Sequence, residues 1–271
     1  MRVALGVQYD GSGFRGWQTQ GPGVRTVQTC LEQALARVAD HPVRVVCAGR
    51  TDAGVHGVGQ VVHFETTAAR SARSWVLGGN AHLPTDLSLS WAHPAEDDFH
   101  ARFSALARRY RYLIHNHPYR SALWYRRAAW WRPPLDAERM HAAGQLLVGE
   151  HDFSAFRAAE CQARQPIRRL LELTVRRRGD NMVLEVEANA FLHHMVRNIA
   201  GVLLAIGAGE QPVEWAREVL EGGDRTRAGV TAPAEGLYLL AVRYPDRFGL
   251  PVASEPRALP VSYTHLTLPT N

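Results

Sequence analysis

Apolar and polar positions alternate over Val3, Leu5, Val7 and Tyr9, the period of two that predicts a half-buried strand. From Thr26 the period changes to that of a helix, with Val27, Leu31, Ala34, Leu35 and Val38 on one face. Two valine-rich runs, Val43 to Cys47 and Gln60 to Phe64, read as strands. A short helix over Ser74 to Ala81 ends at Leu83-Pro84-Thr85-Asp86, and a strand is expected at Leu87 to His93. Alternation returns over Ala107 to Ile114, placing Arg109 and Arg111 on one face and Tyr110 and Tyr112 on the other.

The second half repeats this grammar. A helix is expected from Asp136 to Gly149, with Asp136 as N-cap and Met140, Ala143, Leu146 and Leu147 buried. His151 to Phe156 reads as loop. Arg168 to Arg176 and Met182 to Glu187 flank Arg178-Gly179-Asp180-Asn181, the pattern of a β-hairpin whose Arg176, Arg177 and Arg178 either touch a ligand or are solvated. Leu192 to Ile206 is a strongly apolar helix that contains His193, His194, Asn198 and one strong charge, Arg197. A helix at Val213 to Leu220 and a strand at Leu237 to Arg243 follow. The fold class implied is α+β, with a mixed, mostly antiparallel sheet flanked by helices and two pseudo-symmetric halves, because the alternation of a doubly wound parallel sheet is absent. The halves are assigned to residues 1–103 and 104–247. Residues 248–271 form an extended, proline-broken tail, whose last ten residues read as non-native sequence from a vector or adapter.

Between the two valine-rich runs lies Ala48-Gly49-Arg50-Thr51-Asp52-Ala53-Gly54-Val55-His56. Gly49, Gly54, Gly57 and Gly59 are denser than a regular element tolerates, so this stretch is a small-residue loop that a planar ligand can approach closely. In extended chain Arg50 and Asp52 fall on the same side, and the guanidinium would hold the carboxylate ionised. A turn-stabilising ion pair is the plainer alternative. Gly11, Gly13 and Gly16 spell G-x-G-x-x-G after a strand, but loop residues follow where a dinucleotide site needs a helix.

Composition adds partners more than architecture. The 271 residues, 46% hydrophobic, suit one large domain or two modest ones, and no apolar run reaches the roughly 18 residues of a membrane span. All 31 basic residues are arginine and the formal charge is +5. From Ala101 to Arg132 eight arginines alternate with eight aromatic residues and no acidic one, a composition suited to phosphates and unstacked bases. Three distant cysteines fit neither a disulfide framework nor a zinc site, and His193 and His194 read as structural because no third ligand is spaced with them. The N-terminal residues enter a strand at once, without a leader pattern, so the expected compartment is the cytoplasm.

The Asp52 stretch resembles the G-R-T-D-A-G-V-H signature of the tRNA pseudouridine synthase A (TruA) family. The resemblance recurs, in order, at Tyr9-Asp10-Gly11 with Gly16-Trp17-Gln18, at residues 99–104 and 108–112, at Gly149-Glu150-His151-Asp152-Phe153, at residues 189–198 and at residues 234–239. It implies a pseudouridine synthase fold around a central basic cleft, with Asp52 as catalytic carboxylate. It also implies that Arg50 partners Asp52 and fills the space left by a flipped base, that Tyr110 stacks on the target uracil, that Arg197 pairs with Asp52, and that Leu237 lines the base pocket. The implied reaction turns uridine into pseudouridine at positions 38, 39 and 40 of tRNA anticodon stem-loops, without a cofactor, DNA or membrane, in a homodimer. Two other classes remain open on the residues alone: a non-catalytic RNA-binding module and an oxidoreductase using the Gly11 loop.

Overall fold

The computed structural model describes residues 1–161 and 163–251. Strand β1 (Arg2–Tyr9) leads through a short 3-10 turn into helix α1 (Val27–Ala39). Strands β2 (Val46–Cys47) and β3 (His56–Glu65), helix α2 (Ala72–His82) and strand β4 (Leu87–Ala95) complete the first half. The second half comprises β5 (Ala107–Asn116), β6 (Ala129–Trp131), α3 (Ala137–Gln145), β7 (Gly149–Asp152), β8 (Ile167–Arg178), β9 (Asn181–Ala188), α4 (Met195–Gly207), α5 (Trp215–Gly222) and β10 (Leu237–Arg243).

All ten strands form one mixed sheet in the order β4-β1-β3-β10-β5-β9-β8-β7, with β2 beside β3 and β6 beside β5. In each half the first strand lies between two others, one of them at the joint between the halves: β4-β1-β3, then β10-β5-β9. The pairs inside these triplets are antiparallel, whereas β3 and β10 join the halves in parallel. The expected α+β class and internal pseudo-symmetry are thus both present in the topology.

Alternation along the strands decides which residues meet the helices. Val3, Leu5, Val7 and Tyr9 of β1 pack with Leu31, Leu35 and Trp75, under α1 and α2, whereas Ala4 faces the other side with Phe99 and Phe248. On β5, Tyr110, Tyr112 and Ile114 join Met140, Phe156, Ile199 and Leu203, whereas Leu113 packs with Tyr238 and Leu240. Each fully buried side chain of this kind contributes about 1.5–3 kcal/mol. Phe248, at the start of the expected tail, is buried in the fold; the expected non-native residues at the C-terminus lie outside the described residues.

Several expectations shift: the strand expected from Val43 pairs only at Val46–Cys47, and the helix expected from Val213 begins at Trp215. Helix α3 keeps Asp136 as its cap, through bonds to the amides of Glu138 and Arg139, but ends at Gln145. Gly149 then takes a φ of +123° and opens β7, so the segment expected as loop is an edge strand paired with β8 followed by a 3-10 turn. Its four residues are too few and too polar to show a period. Helix α4 starts at Met195, later than Leu192, because His194 adopts a left-handed φ of +62°.

The arginine-rich window also divides. Arg109 and Arg111 both donate to Glu185 on β9, and Arg177 of the hairpin donates to Asn116 Oδ1 and to the Leu135 carbonyl. Burial alone would raise the Glu185 pKa, but the bonds and charges of Arg111 and Arg109 outweigh it and hold the carboxyl below its usual range. A carboxylate with a depressed folded pKa stabilises the fold above its unfolded pKa and loses that contribution as pH falls through the folded value. Glu185→Gln should therefore melt below wild type at neutral pH, with the gap closing in acid below the usual carboxylate range. Thermal melts across pH check this, and a gap constant down to the acid limit would contradict it.

Candidate active site

The Asp52 loop is built from both sides. Gln60, fully buried on β3, accepts from the Gly49 amide at 3.4 Å and donates to the Gly49 carbonyl at 2.6 Å. The Tyr9 hydroxyl meets Thr51 Oγ1 at 2.8 Å, and the Trp17 amide donates to the Thr51 carbonyl. The Val55 amide closes a turn on the Asp52 carbonyl at 3.2 Å, with Gly54 at a φ of +82°.

The glycines of the first loop make this packing possible. A Cβ on Gly11 would lie 2.0 Å from the Val55 carbonyl oxygen, and Gly16, at a φ of +92°, backs onto Thr51. Among the described residues no α-helix opens on this loop, which holds a 3-10 turn at Gly11–Gly13, and α1 begins only at Val27; the glycines support the Asp52 loop, and the dinucleotide reading loses its structural requirement. Gly11→Ala should push the turn outward and displace Asp52. A displacement near 1 Å costs on the order of 100-fold in turnover, with overpacking costing about 1–3 kcal/mol in stability. Turnover and a melting curve measured together check this, and an unaltered variant would refute the supporting role.

Asp52 sits where the two halves meet, 28% exposed at its side chain. Arg197, in the first turn of α4 and only 15% exposed, donates from Nη1 to Oδ2 at 3.0 Å. Its Nε also donates to the Ala232 carbonyl at 2.8 Å, which fixes the guanidinium plane. His193 Nε2 lies 3.1 Å from Oδ1, and His194 Nε2 lies 3.1 Å from Oδ2. The left-handed turn at His194 brings both rings to the same side, with centroids 4.1 Å apart. The His193 amide donates to Cys161 Sγ, and its carbonyl accepts from the Ala158 amide. Burial lowers the His194 pKa, with Arg197 and His193 acting in the same direction against Asp52. His194 is therefore biased toward its neutral form beside the carboxylate.

Tyr110, 7% exposed, forms part of the wall between Gly49 and Phe191, whose ring it meets edge-on at 5.0 Å. Burial pushes its pKa well above the usual phenol value, and the Asp52 charge adds to this against Arg108. The group remains a phenol, able to donate a proton and unsuited to act as a phenolate base. Leu237 opens β10 opposite Tyr112 and is buried, next to the 232–236 segment that holds Arg197 and receives His56 Nε2 at the Glu235 carbonyl.

Arg50 departs from its expected place. It is exposed, and among the described residues the hydrogen bonds to the Asp52 carboxylate come from Arg197 and His193 instead, with His194 Nε2 3.1 Å away. The expectation assumed extended chain, in which residues two apart share a side, whereas the loop turns at Asp52. His193 and His194, read from sequence as structural, lie at the carboxylate. Both precede helix α4, and the left-handed turn at His194, not a helical spacing, brings them to the carboxylate beside Arg197. Asn198, fully buried, donates to the Phe156 carbonyl and accepts from Arg225 and Thr231, tying α4 to the 225–231 segment.

A family model described as tRNA pseudouridine synthase matches residues 6–104 and 143–245, blocks that contain the Asp52 loop and the Arg197 helix respectively. The chain is 58% identical over 256 residues to the tRNA pseudouridine synthase A of Nitrosococcus oceani, covering 94% of this chain and 98% of that one. It is 58% identical over 250 residues to that of Methylococcus capsulatus, covering 92% of each chain. With that of Alcanivorax borkumensis it shares 56% over 250 residues, covering 92% of this chain and 94% of that one. Family match, near full-length identity and a carboxylate held at the seam of a pseudo-symmetric α+β sheet agree: this chain belongs to the tRNA pseudouridine synthase family of isomerases.

Proposed function

We propose that this protein isomerises uridine to pseudouridine at positions 38, 39 and 40 in the anticodon stem-loop of tRNAs, with Asp52 as the catalytic carboxylate. The observation that carries the reading is the setting of Asp52: a partly exposed carboxylate, charge-compensated by Arg197 and oriented by two imidazoles, on a loop of small residues. The relatives, all tRNA pseudouridine synthases A, support a tRNA substrate; the choice of uridines follows the sequence resemblance.

The chemistry matches this setting. The N1–C1′ bond breaks, the base turns, C5 bonds to C1′, and the C5 proton leaves, with no net redox change or group loss. A fixed carboxylate serves as nucleophile or base in such a step. A uridine inside a stem must first leave the stack, and an aromatic wall such as Tyr110 offsets about 1–3 kcal/mol of lost stacking per base. Arg50, exposed on the loop, would enter the gap in the stem, and Leu237, buried at the start of β10, would line the base pocket.

The protein works as a cytoplasmic homodimer in this reading. Support for a second copy comes from the apolar surface of the 117–127 segment, where Leu123 is 87% exposed and Tyr119 and Tyr125 stand out beside it. No helix among the described residues is long and apolar enough to cross a membrane.

Tritium release from tRNA labelled at uridine C5 tests the reaction, because that proton is lost only when the base rejoins through C5. Transcripts carrying cytidine at positions 38, 39 and 40 should release none. Release undiminished from those transcripts would move the substrate elsewhere, and binding without any release would identify an RNA-binding module.

A further inference from the structure

The sequence offered His193 and His194 no third ligand, but the fold supplies one. One oxygen of Asp52 and one ring nitrogen from each of His193 and His194 all lie within 4.8 Å of one another. Both histidine-to-carboxylate edges measure 3.1 Å. Around a tetrahedral zinc ion, with bonds near 2.0–2.1 Å, neighbouring ligand atoms stand about 3.3 Å apart. The His193 edge ends on Oδ1 and the His194 edge on Oδ2, so with either oxygen as ligand one edge is already at coordination distance, and a turn of the carboxylate brings in the other. Two imidazoles and one carboxylate also form a donor set suited to zinc and cobalt rather than to magnesium or calcium.

We propose that Asp52, His193 and His194 form an inhibitory site for a divalent transition-metal ion, Zn²⁺ or Co²⁺, which blocks the synthase by taking its carboxylate as a ligand. Each imidazole would give the Nε2 lone pair and keep its proton on Nδ1, while the carboxylate gives one oxygen lone pair. Water would take the fourth position, and no oxidation state changes. The scaffold for this is rigid: His193 is held at its amide by Cys161 Sγ and at its carbonyl by the Ala158 amide, and Arg197 steadies the carboxylate on Oδ2. That same guanidinium repels the ion, so the site is weaker than a closed structural zinc site. Occupancy then follows the free metal concentration, as a reversible brake requires. Metal binding stands on this geometry alone; the inhibition rests on the reading of Asp52 as the reacting group.

The test is a titration of Co²⁺ into full-length protein washed with chelator, followed by the visible absorption of four-coordinate cobalt and then by displacement with Zn²⁺. One ion per chain is expected. His193→Ala and His194→Asn should each weaken binding at least tenfold, Asn being chosen because it tolerates the left-handed backbone at this position. In parallel, Zn²⁺ should stop tritium release over the same concentration range in which it displaces Co²⁺, and chelator should restore it. Absence of the cobalt band, or binding unaffected by both variants, would overturn the site. Binding at the site with unimpaired release would overturn the inhibition; in that case, full activity of Asp52→Ala would show that the catalytic assignment is what failed.

Discussion

Asp52→Asn protein is expected to bind tRNA and to release no measurable tritium from it. The substitution preserves volume and planar shape, so the loop held by Gln60, Tyr9 and Trp17 has no reason to move. It removes the negative charge and the nucleophilic lone pairs. Loss of an attacking group costs on the order of 10⁴-fold or more in turnover. The remaining amide oxygen can face Arg197 and His194, which share Oδ2 in the wild type, while the new NH₂ faces His193. The His193 side chain is 40% exposed, so that NH₂ can also bond to water and no buried donor is stranded. Stability should thus change by no more than about 1–3 kcal/mol, a range read from a melting curve alongside the assay. Activity within tenfold of wild type would remove Asp52 from the chemistry.

Arg197 should carry the second-largest effect. Its guanidinium makes two directed bonds at once, Nη1 to Asp52 and Nε to the Ala232 carbonyl. Arg197→Met fills similar space but leaves the carboxylate without its cation and the Ala232 carbonyl without that donor. A charge-assisted bond of this kind is worth about 1.5–3 kcal/mol, which corresponds to roughly a 10–150-fold loss. Orientation of Asp52 is lost with it, so a total of on the order of 10³-fold in the chemical step is expected. Arg197→Lys restores the charge but not the forked geometry, so it should recover only part of the loss. Single-turnover rates at saturating enzyme isolate the chemical step from binding. An Arg197→Met protein with wild-type single-turnover rate and weaker tRNA binding would instead make Arg197 a phosphate contact. The contrasting variant is Arg50→Ala, whose side chain lies outside the Asp52 cluster; its defect should appear in tRNA binding and in the salt dependence of that binding.

Much of the architecture is determined locally. Alternation over Val3 to Tyr9 names the residues that α1 and α2 cover, and the same alternation on β5 turns Tyr110 and Tyr112 inward while Arg109 and Arg111 face the other side. The β8–β9 hairpin turns where Gly179, at a φ of +58°, permits it. Strand β10 spans Leu237 to Arg243, the run its apolar residues mark out. These features depend on period and turn chemistry, which the sequence carries without reference to distant residues. The short strands β6 and β7 do not, because three or four residues show no period and exist as strands only through their neighbours β5 and β8.

The functional cluster divides along the same line. The glycine-rich loop, with its arginine and carboxylate, is visible as a string, and so is the unusual charge of Arg197 within an apolar helix. Which cation meets Asp52 is a different kind of fact. Arg50 is two residues away and turns aside, whereas Arg197 is 145 residues away and bonds it at 3.0 Å. The chain by itself determined the elements, their buried faces and the residue types available for chemistry. Only the tertiary structure decided the partners, because the parallel joint between β3 and β10 brings the halves together and the left-handed turn at His194 aims two imidazoles at one carboxylate. Contacts of that range depend on how the halves pack, and no local period encodes them.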